Sequence, residues 1–120
     1  MAFNKKLNKS TGNLGEDLAT DYLKKLGYRV IERNLRLSFG EIDILAQDKK
    51  TIVVVEVKTV RGSGFGLAQE LVRFKKQKKL KLLGRYIEGQ YPKSPIRIDV
   101  VAVDLSATIP RIEHIENAVY

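Results

Sequence analysis

The stretch that most constrains the fold is residues 40–58, GEIDILAQDKKTIVVVEVK, in which two apolar runs flank a polar cluster. The runs are residues 42–46 and 52–57, and residues 47–50 between them are of turn-forming type. This spacing predicts two antiparallel strands joined by a tight turn. Because residues 52–55 are all apolar, we expect the second strand to be buried on both faces of a sheet.

Charged residues stand inside this predicted hairpin, where a core strand should be apolar. Glu41 and Asp43 lie in the first strand, and Glu56 and Lys58 lie in the second. Because strand side chains alternate sides, Glu56 and Lys58 share a face, roughly 6 to 7 Å apart, and Glu41 shares one with Asp43. If these two faces coincide, two carboxylates and one ammonium group converge at the end of the sheet. Unpaired charge is costly in apolar surroundings, which favours a functional role for it.

Two carboxylates and a lysine suit metal-assisted hydrolysis of a phosphodiester. Asp43, Glu56 and the backbone carbonyl of Val57 offer hard oxygen ligands, which Mg²⁺ and Mn²⁺ prefer. Such a metal neutralises a phosphate and lowers the pKa of a bound water. Lys58 would orient that water or neutralise charge that develops on the phosphate oxygens. The structural alternative is a solvated strand end, and the Glu-Val-Lys triplet by itself leaves it open.

These residues belong to a wider pattern of motifs. The motifs are Gly-Glu at residues 15–16, Gly-Glu-Ile-Asp at 40–43, Val-Glu-Val-Lys at 55–58 and Arg-x-Asp-Val-Val at 97–101. Together they resemble the small bacterial YraN-like proteins, from about residue 12 to about residue 104. That family is similar to the PD-(D/E)xK restriction-endonuclease-like superfamily and, in its layout, to archaeal Holliday junction resolvases.

The resemblance implies roles for individual residues. Asp43 and Glu56 match positions that bind the metal, and Lys58 matches the residue that assists the attacking water. Glu16 matches an acidic position of the first helix that contributes to the metal site in the resolvases. The proline that often precedes the aspartate is replaced here by Ile42. For Glu16, the residues alone fit equally well a solvated glutamate that complements the helix dipole.

Length and composition predict one soluble globular domain. A chain of 120 residues can bury one core but is too short for two. The chain has no cysteine, which excludes disulfides, a thiol nucleophile and a zinc-thiolate site. The N-terminus lacks the apolar segment of a signal peptide, and no apolar run approaches the length of a membrane span. We therefore expect a cytoplasmic protein that does not contact a membrane.

The net charge of +8 arises from 22 Lys and Arg against 14 Asp and Glu, and it favours nucleic acid as a partner. Charge alone does not separate DNA from RNA or exclude a merely soluble basic protein. The resemblance favours DNA, and the likeness to resolvases leaves a homodimer open.

The predicted elements surround the hairpin. Residues 1–10 are predicted to form a flexible basic arm, and residues 11–120 form the domain, beginning with an amphipathic helix that stops at Gly27. Residues 28–35 are predicted to be a strand. A glycine-rich loop at residues 59–67 carries Arg61, a candidate substrate contact, but lacks the ending of a Walker phosphate loop.

A second helix, predicted at residues 68–88, carries most of the candidate nucleic-acid contacts. On a helical wheel, Lys76 and Lys79 lie within the apolar arc, so their side chains extend past it or face a polar groove. Arg73, Gln77 and Lys78 lie outside the arc and suit contacts to phosphates. A solvated basic face is the alternative.

The remaining residues complete the predicted sheet. Residues 96–105 are predicted to be a buried strand. In this strand Asp99 either supports the site from a neighbouring strand or pairs with Arg97 or Arg111, and we favour the structural pairing. Residues 111–115 are predicted to be a short edge strand, with His114 at the surface or edge and without a partner. The order αβββαβ predicts a three-layer α/β domain with a mixed central sheet, which is the core order of the restriction-endonuclease-like superfamily.

Two functional hypotheses follow. The first is a metal-dependent endonuclease that hydrolyses phosphodiester bonds in DNA, with branched DNA as a candidate substrate. The alternative is a nucleic-acid-binding module that has the nuclease fold but no independent catalytic activity. A third idea, a protein-binding adaptor, has only the edge strand in its favour.

Overall fold

The computed structural model describes residues 2–61 and 77–118. It contains helices α1 (Ala2–Lys25) and α2 (Gln77–Gln90) and strands β1 (Arg29–Leu37), β2 (Gly40–Asp48), β3 (Thr51–Val60), β4 (Ile96–Asp104) and β5 (Arg111–Ile115). None of the helices in these residues is long and apolar enough to cross a membrane. Three of the predicted contacts, Arg73, Lys76 and the side chain of Gln77, lie outside the described part of the chain.

The five strands form one mixed sheet in the order β1-β2-β3-β4-β5. Strands β3 and β4 are parallel, and the other neighbouring pairs are antiparallel. A parallel pair needs a long crossover connection, and here the connection includes α2. The predicted αβββαβ order, the mixed sheet and the short edge strand β5 are therefore confirmed.

Helix α1 covers one face of the sheet. Ala19 and Leu23 of α1 are fully buried together with Ile44, Val53 and Val101 from three strands. The helix begins at Ala2, earlier than the predicted start near residue 11. The flexibility of the first ten residues in solution stays a prediction.

Helix α2 covers the opposite face, which completes the three layers. Leu80, Leu83 and Ile87 pack with Val54 and Val100 of the sheet. As predicted, residues 52–55 are buried from both sides, with exposures of 2% or less. The apolar sequence of β3 therefore reflects a strand at the centre of the domain.

Strand β2 departs from regular alternation at Asp43. Ile44 belongs to the core under α1, whereas Ile42 belongs to the core under α2, although strict alternation would place both on one face. On β1, Asn34 lies between the residues that pair with Ile44 and Ile42, and its φ of 55° is left-handed. The prediction that Glu41 and Asp43 share a face assumed that side chains alternate regularly along this strand. They do not alternate regularly at Asp43.

Candidate active site

Asp43 and Glu56 meet where β2 and β3 separate. The paired residues of the two strands extend only as far as Ile44 and Val55. Beyond them, Asp43 Oδ2 accepts a hydrogen bond of 2.8 Å from the backbone N–H of Val57. Asp43 also shares a side-chain hydrogen bond with Glu56. The two carboxylates that were predicted to converge are therefore in contact.

The environment of Asp43 holds a proton on this pair near neutral pH. Burial, followed by repulsion from Glu56, raises the pKa of Asp43 to about 7, and Glu16 adds to the repulsion. The hydrogen bond from Val57 acts in the opposite direction but does not outweigh these effects. Repulsion between the adjacent carboxylates favours the form in which Asp43 carries a proton. A bound cation can take the place of that proton.

Glu16 of α1 is buried, with 9% of the residue exposed. Its Oε1 accepts hydrogen bonds from Asn34 Nδ2 at 2.9 Å and from Arg33 Nη2 and Nε at 3.2 and 3.3 Å. The left-handed backbone of Asn34 allows these two consecutive β1 side chains to reach the same oxygen. The alternative of a solvated first-turn glutamate is wrong, while metal binding by Glu16 stays a prediction.

Gly15 sets how closely α1 approaches β3. A Cβ atom at this position would overlap the Oγ1 atom of Thr59, so any larger residue would push the helix away from the sheet. Because Glu16 follows Gly15 directly, this close contact brings the Glu16 carboxylate within electrostatic range of Asp43. The Gly-Glu motif thus combines a packing requirement with a charged group.

Lys58 lies two residues beyond Glu56 and is partly buried. Ile52 and Val54 of β3 contact α2, so alternation places Glu56 and Lys58 on that same face of the sheet. The predicted arrangement of these two side chains on one face is therefore consistent with the core. The chemical role of Lys58 stays a prediction.

Glu113 is an acidic residue near the site that the sequence analysis missed. Lys58 pairs with Ala102 of β4, and Ala102 pairs with Glu113 of β5, so the three lie in one row across the sheet. Glu113 Oε1 is buried and has no hydrogen-bond partner within the described residues. The only signal in the sequence was a lone acidic residue in the predicted edge strand.

The residues present fit a hard divalent cation, although they do not form a complete metal site by themselves. In residues 2–61 and 77–118, no three acidic or histidine side chains are arranged to hold a metal ion. Asp43 and Glu56 do offer adjacent carboxylate oxygens beside the Val57 backbone, and these are the donors that Mg²⁺ and Mn²⁺ prefer. Glu16 would have to rearrange from Arg33 and Asn34 in order to join them.

A second buried aspartate, Asp99, has different surroundings. Arg97 donates to both of its carboxylate oxygens at 2.9 and 3.0 Å, His114 Nε2 lies 2.8 Å from Oδ2, and the N–H of Asn117 donates at 3.0 Å. Burial alone would raise the pKa of Asp99, but the hydrogen bonds from His114 and Arg97 bring the pKa below its usual value. The expected pairing with Arg97 is confirmed.

His114 lies on the edge strand, as predicted, but its predicted lack of a partner is wrong. Its side chain is only 7% exposed, and its Nδ1 atom lies 3.1 Å from the hydroxyl of Tyr22 in α1. Asp99 holds the other ring nitrogen. Both partners lie far from His114 in the sequence, so local patterns could not reveal them.

Three of the predicted nucleic-acid contacts are described, and all three are exposed: Arg61, Lys78 and Lys79. The Lys79 side chain passes over Gly40, since a Cβ atom on Gly40 would lie 2.8 Å from Lys79 Cε. This agrees with the prediction that Lys79 extends past the apolar arc of the helix. Lys81 and Arg85 add further exposed cations to α2.

Comparison with known proteins places these residues in a family. The model of uncharacterised protein family UPF0102 matches residues 15–103, which include Glu16 and the whole hairpin. A UPF0102 protein of Dehalococcoides mccartyi is 46% identical over 120 aligned residues, covering 98% of this chain and 97% of the relative. A UPF0102 protein of Geobacter sulfurreducens is 47% identical, covering 92% of this chain and 89% of the relative. A UPF0102 protein of Rhodococcus opacus is 41% identical, covering 92% of this chain and 97% of the relative. The chain therefore belongs to uncharacterised protein family UPF0102, the YraN family that its motifs resemble.

Proposed function

We propose that this protein is a metal-dependent endonuclease that hydrolyses phosphodiester bonds in nucleic acid, with DNA favoured over RNA. The observation that carries this proposal is the contact between Asp43 and Glu56, in which the pKa of Asp43 is raised to about 7. A partly buried carboxylate pair with mutual repulsion disfavours folding, so its presence at the end of an apolar hairpin supports a role that uses its charge.

The chain's own residues divide the chemistry among them. Asp43, Glu56 and the Val57 carbonyl would hold Mg²⁺ or Mn²⁺, and a bound metal supplies positive charge against the scissile phosphate. The Val57 N–H fixes one oxygen of Asp43. Lys58 would orient the attacking water or offset charge on the phosphate oxygens. Glu16, positioned by α1, would complete the acidic side of the site.

Exposed cations support a polyanionic substrate. The net charge is +8, and Lys78, Lys79, Lys81 and Arg85 of α2 are all exposed. Cations of this kind contact the phosphate backbone without reading its sequence. Helix α2 packs on the face of the sheet on which Glu56 and Lys58 lie, and its exposed cations are the groups that would contact a polyanion bound beside that face.

The test is a cleavage assay with Mg²⁺ and with Mn²⁺. The substrates are single-stranded, duplex, flapped and four-way DNA together with structured RNA. We expect the wild type to cleave at least one of them and Glu56→Gln, Asp43→Asn and Lys58→Ala each to lower the rate by about a hundredfold or more. Glu88→Gln is the matched control, because Glu88 is an exposed acidic residue of α2. Cleavage that survives all three site changes would refute the proposal.

One observation favours the second candidate, a binding module without turnover. The described residues hold only two adjacent carboxylates, and Arg33 and Asn34 engage the third, Glu16. Such a module would shift nucleic acids on a gel without cutting them, and its binding would weaken steeply as salt is raised. Metal-dependent cleavage that is lost in Glu56→Gln would exclude it.

A further inference from the structure

Two large aromatic side chains lie exposed against each other beside the hairpin. Phe39, in the turn between β1 and β2, is 44% exposed, and Tyr86 of α2 is 38% exposed. Their ring centroids are 6.0 Å apart, and the ring planes meet at 66°. Neither ring belongs to the core clusters, so this pair is not explained by the burial that holds the domain together.

Phe39 lies in the turn that leads into β2, the strand that carries Asp43. It precedes Asp43 by four residues, which limits their separation along the chain to roughly 13 Å. Tyr86 belongs to the helix that covers the face carrying Glu56 and Lys58. A strand of nucleic acid that ran along the exposed side of α2 and the β1–β2 turn toward the carboxylates would pass the two rings.

An exposed cation, Lys79, adjoins the aromatic pair. The Lys79 side chain passes over Gly40, the residue next to Phe39. Lys79 and Tyr86 are seven residues apart, which is close to two helical turns, so both lie on one side of α2. The acidic neighbour Glu41 is partly neutralised by Arg36, 3.9 Å away.

A groove continues the aromatic surface behind Tyr86. It has a volume of about 330 Å³ and lies between α2 and strands β1 and β2. Tyr86 and Tyr91 line it together with Leu35, and Glu32 and Gln90 supply polar groups. The surface therefore offers flat rings and apolar walls next to cations, which is the chemistry that binds unpaired nucleobases and their phosphates.

We propose that Phe39 and Tyr86 form a stacking platform for the bases of an unpaired nucleic-acid strand. This inference rests on the proposed function and narrows its substrate to single strands or to branched molecules with an unpaired arm. Every base has a flat face that can stack on an aromatic ring, but a duplex hides those faces and presents phosphates. The net charge of +8 favours this occupant over an apolar protein surface.

The first experiment measures binding in the presence of a chelator, so that no cleavage occurs. The probes are a fluorescent single-stranded DNA, the same sequence as RNA, and a duplex of equal length. The double change Phe39→Ala with Tyr86→Ala is expected to weaken single-strand binding about tenfold or more, because stacking contributes about 1–3 kcal/mol per base. Duplex binding is expected to stay within about twofold, since it depends on phosphate contacts. Equal losses for single strands and duplex would overturn the platform.

Two controls guard this result against a change in folding. Leu82→Ala removes another exposed apolar side chain of α2, 46% exposed, and is expected to leave binding unchanged. Replacing both Phe39 and Tyr86 with Leu keeps apolar bulk but removes the rings, and is expected to weaken single-strand binding as the alanines do. Wild-type affinity in that leucine variant would overturn the proposal.

A second experiment detects the stacking directly. The chain contains no tryptophan, so Phe39→Trp introduces a single indole. We expect this variant to bind single strands as the wild type does and its emission to be quenched at saturation. Emission that stays unchanged when the single strand is fully bound would overturn the proposal.

The outcomes separate this inference from the proposed function. Glu56→Gln is expected to lose cleavage and keep single-strand binding. Ring-dependent binding without wild-type cleavage would support the platform and refute the nuclease. Cleavage by the wild type together with binding that does not depend on the rings would support the nuclease and overturn the platform. Sedimentation tests whether a second copy of the chain covers the two rings instead. A dimer that dissociates when Phe39 and Tyr86 are replaced would show that they form an interface between copies, and it would overturn the platform.

Discussion

Asp43 and Asp99 lie on two strands of the same sheet, and their surroundings shift their pKa values in opposite directions. Asp99 has no solvent exposure and contacts Arg97 and His114, which lower its pKa. Asp43 contacts Glu56, and burial with this repulsion raises its pKa to about 7. Desolvation acts in the same direction on both aspartates, so the sign of the neighbouring charges decides whether the pKa of each one falls or rises.

The largest expected effect is a loss of stability when Asp99 loses the arginine that contacts it. Arg97→Ala leaves Asp99 buried without its main counter-charge and removes contacts to Asp48 and Glu116. We expect the free energy of unfolding to fall by about 3–5 kcal/mol, because an uncompensated buried charge is strongly destabilising. Urea denaturation at pH 7 measures this loss.

Arg36→Ala is the control for that change. Arg36 is 86% exposed, and its Nε atom lies 3.9 Å from Glu41. Its loss is expected to cost less than about 1 kcal/mol, as is usual for exposed ion pairs. Equal losses in the two variants would show that the Asp99 cluster does not stabilise the domain as a buried network.

The next effect tests the raised pKa of Asp43 through the dependence of stability on pH. The pKa of Asp43 is about 7 in the fold and 3.8 in its ordinary state, so the folded protein binds the proton more tightly. This contribution to stability is complete below the ordinary pKa and is lost as pH rises through the folded value. In the absence of metal, wild type should lose about 2 kcal/mol relative to Asp43→Asn between pH 5 and pH 8. Thermal unfolding of both proteins across this range measures the gap, and parallel curves would contradict the raised pKa.

A bound divalent cation should offset the repulsion between the Asp43 and Glu56 carboxylates. At a concentration ten times its dissociation constant, Mg²⁺ or Mn²⁺ is expected to stabilise the wild type by about 1.4 kcal/mol at pH 7. Asp43→Asn and Glu56→Gln should show little of this stabilisation, and the exposed-site control Glu88→Gln should show all of it. Thermal shifts with and without the cation decide the matter. Equal shifts in all four proteins would mean that the cation binds elsewhere.

The smallest effect concerns the second negative neighbour of Asp43. Glu16→Gln removes one source of repulsion, so the pKa of Asp43 is expected to fall by less than about one unit. The carboxyl carbon resonance of Asp43 in an NMR titration reports this value. Asp17→Asn is the matched control, because Asp17 also binds Arg33, at 2.7 Å, but is itself exposed. A larger shift in the control would assign the effect to Arg33 and not to the charge of Glu16.

The sequence predicted the parts of this comparison that depend on local pattern. Apolar runs and a turn cluster predicted β2 and β3, and the charges within those runs predicted the meeting of Asp43 and Glu56. The pairing of Arg97 with Asp99 was also within reach, since the two residues are close neighbours on one strand face. The Arg97–Asp99 pairing required only the strand period, whereas the position of Asp43 also depends on a break in the alternation of β2 that the sequence did not predict.

Other features depend on single backbone angles or on distant partners. The left-handed φ of Asn34 turns Asn34 and Arg33 toward Glu16, and no periodicity predicts such an angle. The burial of His114 depends on Tyr22, which is 92 residues away. The resemblance, and not the helical pattern, indicated that Glu16 belongs to the site. Local sequence thus locates the strands, while the charges that act on each aspartate are set by contacts between elements.

The hydrogen bond from the Val57 N–H to Asp43 makes one backbone amide a built-in spectroscopic reporter. The chemical shift and the hydrogen-exchange rate of an amide respond to the charge on its acceptor. A single peak in an amide correlation spectrum will therefore follow the loss of a proton from Asp43, the arrival of a cation or the approach of a phosphate. The charge state of the candidate site can therefore be followed in the resting protein, without an attached probe group and without turnover.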